Sequence, residues 1–192
     1  MYLTIKKPMK LIQKGFTLVE LLIVVIILAI LAAIVIPQFS SSTVDAQEAA
    51  LDSNLNALRS AIELYKAQHG GKYPGQVAAT GATCSAGSAG TGAIDTSQAV
   101  ISQLTLYSDK TGATCTGAAT QTILGPYLRK GFPAEPINNK GSLAADIAIQ
   151  LTGVALAPSA ATGGWAYDNK TGQIVMNSNA LDSGQVNTYA SH

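Results

Sequence analysis

The feature that most constrains this chain is the run from Phe16 to Ile36, FTLVELLIVVIILAILAAIVI, which holds a single charge, Glu20. As a helix it would span roughly 32 Å at 1.5 Å per residue, which matches the ~30 Å hydrocarbon core of a bilayer. Four lysines precede it, Lys6, Lys7, Lys10 and Lys14, with no acid among residues 1–15. Asp45, Glu48 and Asp52 follow it. Basic residues before a span hold that side in the cytoplasm, so residues after about 37 are expected outside. The sequence thus divides into a leader over 1–15, a transmembrane helix over 16–37 and an exported globular domain over 38–192.

The rest of the composition narrows the class. Only 12% of residues are charged and mean hydropathy is +0.25. Beyond residue 15 there are eight basic and eleven acidic residues, so no basic surface for nucleic acid is expected. Cys84 and Cys115 both fall in the exported part, where disulfides persist. Their flanks, GATCSAG and GATCTGA, are small and polar, which favours a bridge over two separate buried thiols. The loop-closure account credits such a bridge with roughly 3.5 kcal/mol. There is no CxxC, CxxCH or Cys/His cluster, and no Ser-His-Asp set, GxSxG, HExxH or phosphate loop. The chain reads as a non-enzyme without a catalytic site or cofactor. Asn177, Asn179 and Asp182 with Gly184 are candidate oxygen ligands for calcium, although polar turns of this kind commonly serve as turns. Met9 offers a second start, with a shorter leader.

Along the chain, Phe16 to about Gln68 reads as one long helix of about 80 Å. Pro37 inside it removes a backbone hydrogen bond and is expected to kink it. Leu51, Leu55, Leu58, Ile62 and Tyr65 form a single apolar stripe, with Asp45, Glu48, Asp52, Arg59, Glu63 and Lys66 off it. His69-Gly70-Gly71 ends the helix and Lys72–Gly75 is a turn. Asp95-Thr96-Ser97 caps a short helix whose Val100, Ile101, Leu104 and Tyr107 face inward. Residues 76–93 and 108–122 read as small-residue loops, and Ile123–Pro136 as an extended cover. Near the end, 147–151 alternates, and Trp165–Tyr167 and Ile174–Met176 flank Asp168–Gly172 as a hairpin. Trp165 is expected on the helix stripe near Leu58 to Tyr65, the alternative being an exposed binding residue.

Glu20 needs its own account, because a carboxylate inside a bilayer costs a few kcal/mol. It can sit at the interface, line an ion path, or pair with a positive group from another copy of the chain. One span offers no second wall for a path. Cleavage after Gly15 would create an α-amino group on Phe16 at the depth of Glu20, and between staggered neighbours the two groups could pair and fix register.

Lys14-Gly15-Phe16-Thr17-Leu18-Val19-Glu20, the apolar run and Pro37 resemble the class III signal of type IV pilins and type II secretion pseudopilins. The resemblance implies cleavage between Gly15 and Phe16 by prepilin peptidase, N-methylation of Phe16 by the same enzyme, a role for Glu20 in subunit recruitment and register, and a kink at Pro37. It implies an α+β pilin-like fold, a long N-terminal helix on a small antiparallel sheet. It also implies a structural subunit of a helical filament, stored in the inner membrane and assembled with itself and other pilin-like subunits by an inner-membrane assembly platform. Lys72-Tyr73-Pro74 and Gly125-Pro126-Tyr127-Leu128 are similar to the major pseudopilin of type II secretion. A single-span anchored binding or adhesion protein that does not polymerise is the competing function, with 76–93 and 108–122 as its recognition surface.

Overall fold

The structure, a computed structural model, describes residues 15–85, 87–118 and 124–192, and within them the side chains of 35–41 are not described. Lys6, Lys7, Lys10, Lys14, Met9, Ile123 and the Pro37 side chain therefore lie outside the described residues. The chain divides between Ser42 and Thr43 into two units. One helix, α1, runs Leu18–Gln68. In the first unit its described side chains, Leu18 to Ile34, cover about 25 Å. Among the described residues no helix is long and apolar enough to cross a membrane.

In the second unit α1 is amphipathic. Leu51, Leu55, Leu58, Ile62 and Tyr65 are all buried. They belong to one core cluster with Trp165, Tyr167, Ile174 and Met176. The partner is a three-stranded sheet of β3 (Ile147–Gln150), β4 (Trp165–Asp168) and β5 (Ile174–Met176), in that order. Its register brings like to like: Trp165 faces Ile147 on one side and Met176 on the other, and Tyr167 faces Ile149 and Ile174. Alternation of period two then sends all six inward. Trp165 is thus a core residue; its indole N–H donates to the Pro133 carbonyl at 2.9 Å.

The resemblance implied a small antiparallel sheet; this three-stranded one is mixed, with β3 paired to β4 in parallel and β4 to β5 antiparallel. Parallel neighbours need a crossover of a dozen residues or more, and 151–164 supplies it. The β4–β5 connection is the expected hairpin. Gly172, at φ 75°, sits so close to the Tyr73 ring that a Cβ would clash with it.

A helix α2, Ser97–Thr105, begins at Thr96, whose side chain accepts from the Ala99 N–H. It places Gln103 in the interior. The Gln103 carbonyl accepts from Gly75 N–H at 2.7 Å, and its amide donates to Val77 and Gly112 carbonyls at 3.0 Å each. One side chain so ties the segment after α1, at Gly75 and Val77, to the 109–112 turn.

The stretches expected as loops carry short ladders instead. β1 (Tyr107–Ser108) pairs antiparallel with β2 (Thr114–Cys115). Cys115 also bridges to Ala89, and Ser108 to Leu124. Thr114 N–H donates to Ala79 at 2.9 Å, and Gly90 N–H to Thr114 at 2.7 Å. Cys84 and Cys115 form a disulfide across this sector, with Cα atoms 5.8 Å apart.

The end of the chain is strapped along α1. Glu48 accepts from the Ser183 N–H and hydroxyl at 2.6 Å each and from the Tyr189 hydroxyl at 3.2 Å. Asp52 meets the His192 Nδ1 at 2.8 Å, and Arg59 donates to the His192 oxygen at 2.8 Å.

His69 closes α1 from inside. It stacks on Tyr65 with ring centroids 3.7 Å apart. Its Nδ1 lies 2.8 Å from the Tyr65 carbonyl, which can only accept. Nε2 is therefore left to accept from the Ser108 hydroxyl at 3.1 Å. Burial lowers its pKa, against an opposing pull from the Tyr65 and Asp109 backbone groups and the Asp109 charge.

Two outcomes follow. Leu58→Ala should cost about 2–5 kcal/mol, read by denaturant unfolding through the fluorescence of Trp165. Burial holds the folded His69 ring below its ordinary pKa, while the unfolded ring takes its proton near about 6.5. The stability it contributes above that pH is lost as pH falls below it. The melting temperature should drop on acidification from about pH 7 to 5, and drop less in His69→Gln.

Candidate processing and assembly site

Gly15, Phe16 and Thr17 precede the helix as non-helical residues. A Cβ built on Gly15 would meet nothing among the described residues within 4 Å. Nothing in the described fold asks for glycine there. Gly141 is the contrast, since a Cβ there would run into the Trp165 ring. Phe16 is 77% exposed, and every bulky apolar side chain from Leu18 to Ile34 is about half exposed or more.

Thr17 and Glu20 organise the start of α1. The Thr17 N–H donates to the Glu20 Oε2 at 2.8 Å, and its hydroxyl donates to the same oxygen at 2.7 Å. The Glu20 N–H in turn lies 3.2 Å from the Thr17 Oγ1. This is a reciprocal capping box, which satisfies amides that a helix N-terminus leaves without partners. The first helical bond, Leu21 N–H to the Thr17 carbonyl at 3.2 Å, follows directly. A negative group in the first turn also suits the positive end of the helix dipole. Glu20 therefore has partners within its own chain. Sequence reasoning looked for the partner of Glu20 in another copy and passed over Thr17, although the T-x-x-E spacing was the available signal.

The other candidate residues are placed as follows. α1 continues through position 37, whose side chain is outside the description. Cys84 and Cys115 are joined. The backbone of Asn177 pairs with Gly163 and Gly164. The Asn179 amide donates to Ser159 at 2.8 Å, and Asp182 Oδ1 accepts from the Val186 N–H at 3.3 Å. These contacts hold turns together. Among the described residues no group of three or more His, Cys, Asp or Glu side chains could hold a metal ion.

Comparison with known proteins bears on this N-terminal segment. A family described as the prokaryotic N-terminal methylation motif matches residues 11–36. The chain is similar to a type IV major fimbrial protein FimA of Dichelobacter nodosus, 51% identical over 55 residues, which is 29% of this chain and 35% of that one. It is similar to the type II secretion system core protein G of Pseudomonas aeruginosa, 43% identical over 54 residues, 28% of this chain and 38% of the relative. A fimbrial protein of Pseudomonas aeruginosa is 53% identical over 51 residues, 27% and 33% of the two chains. The chain thus spans about a third of the length of the curated relatives it matches. No solved structure matches it.

Removing the capping box should free the first turn. Thr17→Ala is expected to cost about 1 kcal/mol locally. Amide exchange at Glu20 and Leu21 in the detergent-solubilised protein would show this as a roughly fivefold faster exchange, with Thr17→Ser close to the parent.

Proposed function

We propose, from the premise that the chain carries the N-terminal segment of the type IV pilin and type II secretion pseudopilin superfamily, that it is a structural subunit of a pilus-like helical filament. In this reading prepilin peptidase cuts between Gly15 and Phe16 and methylates the new amino group. Residues 16–36 first hold the subunit in the inner membrane and then pack against the same residues of its neighbours.

The observation that carries the reading is the apolar helix surface from Leu18 to Ile34, exposed on all sides in the isolated chain. The soluble domain covers its own core with one stripe of α1, and this segment has no such face. A helix apolar all round needs either lipid or other helices, and a subunit that moves from bilayer to filament meets each in turn. The Thr17–Glu20 box fits both states. It keeps the carboxylate partnered in the membrane, and a neighbour's α-amino group can join it on assembly.

The relatives include both fimbrial and secretion-system proteins, so the filament can be a type IV pilus or a secretion pseudopilus. An anchored binding protein that never polymerises would keep an uncut N-terminus. Mass spectrometry of the protein from an assembly-competent host should find a chain beginning at Phe16 and one methyl group heavier than the bare sequence. An intact leader on the mature protein would overturn the reading. Gly15→Val should leave the leader attached and the protein in the membrane fraction.

A further inference from the structure

The sheet beneath α1 has two edges, and they are finished differently. The outer edge of β5 is covered. Arg59 donates to the Ile174 carbonyl at 3.4 Å, and the C-terminal turn Tyr189–Ser191 packs against the strand. β3 forms the other edge. Its pairing with β4 fixes where each peptide group points. The Gln150 carbonyl accepts from the Asn169 N–H at 3.2 Å, so in the parallel register Ala148 and Gln150 turn their backbone groups to β4. A planar trans peptide sets each C=O opposite the next N–H. The Ile147 carbonyl, the N–H and carbonyl of Ile149 and the Leu151 N–H therefore point away from the sheet. The Ile147 N–H is already bonded to the Ala144 carbonyl. Among the described residues none of the four outward groups has a hydrogen-bond partner.

Proteins blunt such an edge with lysine, proline, a bulge or a cover. Residues 147–151, IAIQL, hold no charge and no proline, and the ladder to β4 runs without a bulge. Ala148 and Leu151 are exposed, and Leu143 and Val154, to either side in sequence, are exposed apolar residues.

The four outward groups are their own complement. A second copy laid antiparallel, with Ile149 opposite Ile149, brings each Ile149 N–H to the other Ile149 carbonyl and each Leu151 N–H to the other Ile147 carbonyl. All four groups on both strands are then satisfied. On one face Ile147 stands opposite Leu151 and Ile149 opposite itself, aliphatic pairs that stabilise a sheet. On the other face Ala148 stands opposite Gln150, and no like charges meet. This match of donors and acceptors, and not the apolar surface alone, selects a second copy as the occupant.

We propose that β3 is a dimer edge, on which two copies of the folded unit join their sheets into one of six strands. The pairing is two-fold, so it closes and does not propagate. It is a contact of free subunits, separate from any that builds a filament, and it does not rest on the filament reading.

Full chain in detergent tests it, with Ala148→Cys in one tagged pool and Gln150→Cys in another, mixed, left to exchange and mildly oxidised. In the proposed register these positions form a non-hydrogen-bonded pair with Cα atoms about 4.5 Å apart, within reach of a disulfide. Each position lies about 7–8 Å from its own equivalent in the partner, out of reach. The mixture should give cross-linked heterodimer about fivefold or more above the homodimer of either pool alone. Leu151→Pro in both pools removes an outward N–H and spares the ladder to β4, and should cut the yield by about tenfold. Leu151→Lys, which places a charge at the edge, should do the same if the proline variant fails to fold. The Cys84–Cys115 disulfide and the fluorescence of Trp165 report folding of each variant. No heterodimer, equal yield from the single pools, or a heterodimer indifferent to the Leu151 variants would overturn the dimer and leave the filament reading standing.

Discussion

The contact on which the rest of the second unit depends is the stripe Leu51 to Tyr65 laid against the inner face of β3, β4 and β5. The sheet has three strands of three or four residues, too little to stand without a packed partner. Burial of each large side chain is worth about 1.5–3 kcal/mol, and the cluster gathers more than a dozen. Register matters because of this contact. Trp165, Tyr167, Ile174 and Met176 face the helix together, and a slip of one residue would turn all of them outward. The Gln103 hub, the C-terminal strap and the His69 stack then fasten peripheral segments to a frame already set.

Much of that frame was legible. The stripe repeats at helical spacing, Thr96 stands where a cap belongs, and Asp168 to Gly172 carries turn chemistry between two apolar runs. These signals are local, and local rules read them. What escaped reading was non-local or lay in the main chain. The parallel pairing of β3 with β4 depends on the path of 151–164, which has no periodicity of its own. The ladders around Cys115 join alanine, glycine, serine and threonine through backbone groups, so no side-chain pattern marks them. Gln103 looks in sequence like any polar residue of a short helix, and its three partners are backbone groups at Gly75, Val77 and Gly112 that no side-chain pattern marks. Thr17 was legible by spacing and was outweighed by the charge of Glu20.

The capping box changes what Glu20 has to do. A carboxylate in an apolar segment is costly when it lacks partners, and here the hydroxyl and N–H of Thr17 already serve it. In the proposed filament, recruitment of a neighbour would be an exchange or an addition at an occupied group, with a driving force equal to the difference between two sets of hydrogen bonds. Such a difference is small and adjustable, which suits the proposed passage from one environment to another.

The sector closed by Cys84 and Cys115 has a consequence of a different kind. Its order comes from peptide groups pairing across Ala79, Ser88–Gly90 and Thr114–Thr116, with one covalent tie and few large side chains. Where the main chain and a disulfide carry the shape, the outward side chains are free to drift. This patch can diverge in surface chemistry while the scaffold beneath it stays the same.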